Sequence, residues 1–443
     1  MKKPTFKIVK ITLIVVAAML AMFAFSACAG CQTHFDAAQK RGVAFMPSSA
    51  QNLDLLASGA HGISWFHNNT LNIDGAIESA AREKDIQFVP MVWDLMDDNA
   101  ENNLREFAAR NPQVRFVQAN VPSNMTPAQF AEHENGWRRL RRVARNLNLS
   151  IISPTRGFAP ANTAVAWLEE FFAHRRVNIR DIHAIAVHVT ASDPSAFKLY
   201  VEQFEVFNRP LWVTEFAGVG NFPFYWQEVG MAAQARFMSQ TVAFLAQNPL
   251  VEKYAWAEQP SLVSGINDNL FLLTRGDNPQ KTQLGQIYTN MSIFDSTHWF
   301  CVSSRIDAAQ MTRNNIYNVI GHHAQWTPSV NFAVLTDTDT SAGNLEVNYF
   351  MPGRWVEYQI EVKEAGNFSL HLRHFNTEMN RIEVSVNGAL KIEPMLDGGE
   401  WRTTNLTEFV PLIQLGVGRH TIRIAAGTGN RLSSLNWLEL VRA

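Results

Sequence analysis

Strong charge of either sign is missing from this sequence. Its 443 residues carry 38 basic and 40 acidic side chains, a formal net charge of −2, so it lacks the positive field that neutralises a phosphate backbone. No lysine/arginine run occurs beyond the first ten residues and short pieces such as Arg138–Arg142, and nucleic acid is excluded as a partner on this reading. Cysteine is nearly absent, with Cys28, Cys31 and Cys301 alone. The first two fall in an N-terminal leader, so the mature fold is expected to have no intramolecular disulfide framework and to be held by packing. No His/Cys/Asp spacing resembles a metal site, and no glycine-rich phosphate loop follows a strand-like run. The longest uncharged apolar run, Ile11 to Phe25, falls short of the roughly 20 residues that a helix needs to cross a bilayer.

That run is informative for another reason. It follows the basic start Met1-Lys2-Lys3 and precedes the small-residue stretch Ser26-Ala27-Cys28-Ala29-Gly30-Cys31, the layout of an export signal over residues 1–31. Small residues directly before a cysteine resemble a bacterial lipoprotein signal, in which the thiol is lipid-modified; both Cys28 and Cys31 fit, and the choice between them stays open. The expected location is extracellular or at the cell surface, with any membrane contact made through a lipid anchor. Aromatic residues are plentiful, 12 Trp and 29 Phe, and flat apolar faces are what a protein offers to a pyranose ring. Most of them will be core.

Eight short apolar runs alternate with helical patterns: Arg41–Met46, Gly62–Phe66, Gln87–Trp93, Val114–Ala119, Ser150–Pro154, Ile182–Val189, Leu211–Phe216 and Val251–Trp256. Their spacing leaves room for a strand, a helix and two loops each, which predicts a (β/α)8 TIM barrel over residues 38–292 and an α/β fold class. Near-continuous apolar strands are those buried on both faces. After about Asn290 the texture changes to alternating strands, among them Glu357–Val362, Phe368–Phe375, Arg381–Val386 and His420–Ala425. Asn387-Gly388 between two such runs predicts a hairpin. Residues 298–443 are therefore expected to form an all-β jelly-roll sandwich.

Barrel active sites sit at the C-terminal strand ends. The seventh run ends Trp212-Val213-Thr214-Glu215-Phe216-Ala217, and a carboxylate there suits attack on an anomeric carbon. The ordered strings RGVAF, ISWFHN, FVPMVWD, SNMTPAQ, IAVHV, WVTEFA and EKYAW together resemble the catalytic module of glycoside hydrolase family 128. That resemblance spans about 250 residues and implies a retaining endo-β-1,3-glucanase frame with two catalytic glutamates. It places the nucleophile at Glu215. The acid/base glutamate of an Asn-Glu-Pro triplet corresponds to Val121 in Asn120-Val121-Pro122, and Asn120 keeps the position that bonds the sugar 2-hydroxyl. Valine can neither give nor take a proton, so hydrolysis should be impaired or absent while sugar binding persists. Glu258, then Asp94, are the candidate substitutes. The resemblance also places Trp65, Trp93, Trp256 and His188 along the substrate groove, although His188 is followed by Val189-Thr190 where the family has two aromatics.

Residues 300–443 resemble a family 6 carbohydrate-binding module through Tyr349–Tyr358, Val386-Asn387-Gly388, Gly398–Trp401, Gly418–Ile422 and Leu435–Leu438. This implies that Tyr349 and Trp401 sandwich a sugar, with Ser434 where the family has an asparagine. Trp355 and Trp437 are expected in the core. No cofactor is expected; a structural calcium is left open, since the family's Glu-Ala-Glu reads here Asp307-Ala308-Ala309. Three readings follow: a β-1,3-glucan binder on an enzyme's frame, an active endo-β-1,3-glucanase with a substitute acid, and a surface protein that binds no glycan.

Overall fold

The computed structural model describes residues 38–443 except 45–46, 60, 93–97, 121–128, 130–133, 158, 175–176, 220–230, 258–269, 316–331, 335–344, 351, 377, 399–404 and 428–431. Its first half is a curled parallel sheet of strands β1 (Ala38–Ala44), β2 (Ile63–His67), β3 (Gln87–Phe88), β4 (Met91–Val92), β5 (Phe116–Ala119), β6 (Ser150–Ile152), β7 (Ile182–Thr190), β8 (Leu211–Ala217) and β9 (Val251–Ala257). The order is β3-β2-β1-β9-β8-β7-β6-β5-β4. Every one of the eight expected runs carries a strand, the third split in two. The ends of the ladder, β3 and β4, are separated by Val89-Pro90 alone, so one segment pairs with both edges. Val89 N–H donates to the Phe66 carbonyl (2.9 Å) on one side, and Gln118 N–H donates to the Pro90 carbonyl (2.9 Å) on the other. Proline has no N–H to give the ladder and breaks it there. The arrangement is consistent with a barrel.

Helices α1 (Ala50–Ala57), α2 (Gly75–Glu83), α3 (Asp98–Arg110), α4 (Glu134–Asn146), α5 (Ala161–Ala173), α6 (Pro194–Glu202), α7 (Met231–Gln247) and α8 (Gln283–Asn290) follow the strands. Their starts are legible in the chain: the side chains of Ser49, Asp74, Asp193 and Thr282 each accept a first-turn N–H, as N-caps do. No helix among the described residues is long and apolar enough to cross a membrane.

Strand residues sort cleanly by face. Val117, Ile185, Val187, Val213 and Phe216 point outward into the main core under the helices, whereas Ala44, Trp65, Val89, Ile152, Ala184, Ala186, Trp212 and Ala255 fill the inside. Two indoles, Trp65 and Trp212, meet at 5.2 Å, and alanines on the facing strands leave them room. Gly42 belongs to the same fit, because a Cβ there would stand 2.5 Å from the Trp65 ring.

Arg41 joins the sheet to α8. Fully buried, it donates to the carbonyls of Tyr288 (2.5 Å), Met291 and Ser292 (both 3.1 Å). These carbonyls at the helix C-terminus have no intrahelical partner, and a cation there also meets the negative end of the helix dipole. The chain then passes directly into the second half, where Ser292 N–H donates to the Ala309 carbonyl (2.9 Å).

That half holds two sheets. One orders β10 (Phe300–Cys301), β15 (Trp355–Val362), β21 (Gly418–Ala426), β17 (Asn380–Val386) and β18 (Ala389–Ile392), with β12 (Arg313–Asn314) and β19 (Met395–Leu396) beside it; the other orders β13 (Phe332–Val334), β14 (Leu345–Phe350), β22 (Leu432–Arg442), β16 (Gly366–Phe375) and β20 (Asn405–Leu415), with β11 (Ile306–Asp307). Alternate residues of both, such as Val356, Tyr358 and Ile360 from one and Leu370, Leu372 and Leu438 from the other, share one apolar core, which partly supports a sandwich. The hairpin expected at Asn387-Gly388 is present, with φ of 51° and 81°, the left-handed pair that a tight two-residue turn demands. Trp437 is buried as expected, under the Arg305 guanidinium (4.2 Å); Trp355 is only partly buried, and Arg423 covers its ring at 3.8 Å.

One expectation needs correction. Cys301 is disulfide-bonded. The other cysteines in the chain are Cys28 and Cys31, so the partner lies outside the described residues, and assigning both to a leader had removed it from view.

Candidate active site

Because the strands are parallel, their C-terminal ends share one rim, which carries His67 on β2, Asn120 after β5, His188 on β7 and Glu215 on β8. A bulge aims Glu215. Val213 and Phe216 pair with Tyr254 and Trp256 on β9, three steps against two, and on the other side Val187 and His188 pair with Val213 and Glu215. Strict alternation between outward Val213 and outward Phe216 would need an even step; the extra residue turns both Thr214 and Glu215 away from the outer core. Glu215 thus becomes the cross-strand partner of His188, its Oε1 3.3 Å from His188 Nε2.

Among the described residues three glutamates are buried: Glu78, Glu215 and Glu357. Glu78 faces Arg82 and Arg110, and Glu357 holds Arg423 at 2.8 Å. Glu215 has no arginine. Its neighbours are His188 and the side chain of Asn69, which bonds it. Burial pushes the Glu215 carboxyl up to about 8, with the Asn69 bond acting the other way. Burial holds the His188 imidazole down to about 3, with His67 nearby adding to the effect. Both shifts favour neutral forms, so the 3.3 Å contact joins a carboxylic acid to a neutral ring at pH 7 and is no salt bridge. A buried carboxyl with so displaced a titration, set at the C-terminal rim of the parallel sheet, makes Glu215 the candidate for a functional carboxyl.

Among the described residues, polar atoms without a hydrogen-bond partner gather on the same strands: both side-chain atoms of Gln118, Thr214 Oγ1, His188 Nε2 and Glu215 Oε1. Gln118 faces inward, two residues after Phe116, whose ring packs on Trp212 at 4.7 Å. Such atoms are stabilised by a polar ligand or water. Sequence reasoning missed Gln118, Thr214, His67 and Asn69. The polar residue inside an otherwise apolar strand was the signal for Gln118, and the string His67-Asn68-Asn69 at a strand end was the signal for the last two.

The structure brings Glu215 and His188 together and sets Asn120 on the same rim, half-buried, its N–H donating to the Val92 carbonyl (2.9 Å). It corrects two aromatic assignments. Trp65 and Trp256 are both 0% exposed. Trp65 points down the barrel, donating to the Lys40 carbonyl (3.0 Å), and Trp256 packs outward between Phe216 and Tyr288 while donating to the Leu270 carbonyl (2.9 Å). Neither has a face for a sugar. Position near a strand end had suggested a groove, but the inward and outward directions of the pleat decide. Trp93, Asp94, Val121, Glu258 and Trp401 lie outside the described residues, as does the side chain of Tyr349, although β14 carries its backbone. Ser434 is buried on β22, opposite Asn348 on β14. For the calcium left open above, Asp307 is the remaining acidic position; burial raises it to about 6. No group of three or more His, Cys, Asp or Glu side chains among the described residues could hold a metal ion.

The family model described as the glycosyl hydrolase catalytic core matches residues 42–288. The chain belongs to that family. A comparison with curated proteins gave no match. Among solved structures, the chain is similar to a GH128 (subgroup II) endo-β-1,3-glucanase from Pseudomonas viridiflava, at 24% identity and TM-score 0.45 over 58% of this chain and 98% of that one. It is also similar to a GH128 (subgroup VII) oligosaccharide-binding protein from Cryptococcus neoformans (19%, 0.44, 59% and 97%). A third is a GH128 (subgroup I) endo-β-1,3-glucanase from Amycolatopsis mediterranei in complex with laminaritriose (20%, 0.43, 57% and 98%). Within the glycosyl hydrolase match, Glu215 is the buried carboxyl on the rim.

Proposed function

We propose that this chain is an exported, lipid-anchored member of glycoside hydrolase family 128 that captures β-1,3-glucan at the mouth of a (β/α)8 barrel, with hydrolysis impaired or absent. The observation that carries the reading is Glu215: a buried rim carboxyl that no arginine among the described residues neutralises, flanked by neutral His188 and by Asn69. Retaining hydrolysis needs an ionised nucleophile and, about 5 to 5.5 Å away, a second carboxyl that protonates the leaving oxygen. A Glu215 titrating near 8 is mostly protonated at pH 7. In that form it donates one hydrogen bond and accepts others, the pattern that a sugar hydroxyl also presents. The sequence supplies Val121 where the resemblance calls for the second carboxyl, and general acid–base assistance is worth about 10²–10⁴-fold. Asn120 and His188 complete the contacts in this reading.

The second half, in the same reading, is a jelly-roll module of the family 6 type that adds a glucan contact through Tyr349 and Trp401, which lengthens the bound chain and raises its residence. The alternative is an active endo-β-1,3-glucanase in which Glu258 or Asp94 supplies the proton; the donor that Asn69 offers the ionised Glu215 favours it. Calorimetry with laminarihexaose and product analysis at high protein concentration separate the two. Heat without products supports the binder, products that vanish on changing Glu258 or Asp94 support the enzyme, and no heat sinks both. Val121→Glu is expected to create or raise hydrolysis by about 10²-fold or more, and no gain in a folded variant counts against the assignment.

A further inference from the structure

Gln118 is the inward residue of β5 between Phe116 and Asn120, and it carries an amide that the fold does not use. Its backbone is held in the ladder between Met91 on β4 and Ile152 on β6. The residue is 1% exposed, and its Nε2 and Oε1, with two donors and two lone pairs between them, have no partner among the described residues. Thr214 on β8 repeats the pattern. It is fully buried and its hydroxyl has no partner among the described residues, while its carbonyl lies 2.9 Å from Nε2 of His67 at the end of β2; the backbone is fixed and the hydroxyl is left over. An apolar side chain would serve a core position better in either place, because a buried polar group without a partner loses its hydration and gains nothing. The inner face has little bulk to close over these atoms, since Ala44, Ala184, Ala186, Ala255 and Ala257 belong to it where barrels usually place branched side chains. Nothing polar meets them from below. Phe116 and Trp65 both pack on Trp212, and the two indole N–H groups turn to the N-terminal end, donating to the Lys40 carbonyl (3.0 Å) and to Glu252 (2.9 Å). A partner has to arrive from the mouth.

We propose that the Gln118 carboxamide and the Thr214 hydroxyl form the polar floor of the glycan site and bind hydroxyls of the sugar residue seated at Asn120 and Glu215. Gln118 stands two residues before Asn120 on the same face of one strand, about 7 Å lower along it, and Thr214 directly precedes Glu215. An amide both donates and accepts, as a sugar hydroxyl does, so each end of Gln118 finds a complement on a polyhydroxyl ligand. An ionised ligand group has no such match: it would need a cation, and the lysine on β9 that faces the barrel axis, Lys253, lies at the N-terminal end against the rings of Trp65 and Trp212 (5.8 and 5.5 Å), donating to the Gln39 carbonyl (2.8 Å). The ligand class is therefore an uncharged sugar.

This assignment rests on the reading of the rim as a glycan site, and its test separates the two. In the full chain the side-chain 15NH2 pair of Gln118, assigned by its loss in Gln118→Leu, should shift on saturation with laminarihexaose. By calorimetry Gln118→Leu is expected to weaken laminarihexaose binding about tenfold, and Thr214→Val about threefold. Laminarihexaose oxidised to the 6-carboxylate should bind at least about tenfold more weakly than the parent sugar, and equal binding overturns the assignment of an uncharged ligand. Unchanged affinity in folded Gln118→Leu overturns the proposal; if that variant is also destabilised, water rather than sugar satisfies the amide. Unchanged affinity in Thr214→Val overturns the part given to Thr214. A parent protein that gives no heat with laminarihexaose sinks the glycan reading itself, and the floor with it.

Discussion

Replacing Glu215 by glutamine removes an ionisable group whose burial is opposed by no cation among the described residues, and the effect on stability can be worked out from its titration. In the unfolded chain this carboxyl titrates near 4.5, and in the folded one near 8. Below pH 4.5 both states hold the proton and the group adds no pH dependence. Between pH 4.5 and about 8 the unfolded state ionises and the folded state does not, so stability falls as pH rises; above about 8 both are ionised and the full penalty remains. At pH 7 the gap of 2.5 pH units corresponds to about 3 kcal/mol at most. Glutamine keeps the shape and one acceptor, and it cannot ionise. Glu215→Gln should therefore be nearly neutral at pH 4.5 and more stable than the parent by about 2–3 kcal/mol at pH 7, with a further rise toward pH 8. Urea unfolding of both proteins at pH 4.5, 6, 7 and 8.5 measures it. A difference that stays flat with pH, or that has the opposite slope, refutes the assignment of a raised titration to Glu215. A gain in stability with a loss of glycan response would be the usual trade at a functional carboxyl.

Acid should destabilise the same molecule by a different route. Burial holds His61 and His188 to about 3 and His67 and His374 to about 4, so below pH 6.5 the unfolded chain takes up protons that the folded chain refuses, and each ring withdraws about 2 kcal/mol by pH 5; a melting temperature that holds steady from pH 6.5 to 4 would contradict this. Arg41→Met should destabilise by about 3 kcal/mol, because three carbonyls at the end of α8 lose a charged donor; a denaturation midpoint equal to the parent's would show that water replaces it without loss. Gln118→Leu removes a buried amide that has no partner among the described residues, and should raise stability by about 1 kcal/mol while weakening laminarihexaose binding. A destabilised variant there would mean that the amide is satisfied in solution.

How far the chain could be read in advance depends on the range of the forces involved. The eight apolar runs, the helix starts at Ser49, Asp74, Asp193 and Thr282 and the turn at Asn387-Gly388 are local: each follows from the backbone preferences and burial pattern of a few neighbouring residues. The rim position of Glu215 followed from the same pattern, since a parallel strand of known direction has one known end. Which way a side chain points from a strand is settled by its neighbours. Trp65 and Trp256 sit near strand ends and yet turn to the barrel floor and the helix layer, because Gly42 and the facing alanines open space for one, and Phe216 and Tyr288 enclose the other. The disulfide of Cys301 was likewise invisible once its possible partners had been assigned to a leader.

The sequence alone therefore determined the periodicity, the order of strands and helices, and the presence of a single candidate carboxyl in the seventh strand, all of which depend on contacts within about one turn or one strand. Tertiary structure decided that an extra residue in β8 would swing Glu215 inward, that His67 at the end of β2 would reach the neighbouring Thr214 carbonyl, and that the Glu215 proton would be held to about pH 8. Those outcomes depend on how far water is excluded and on which strand lies across the barrel, quantities that no stretch of neighbouring residues carries.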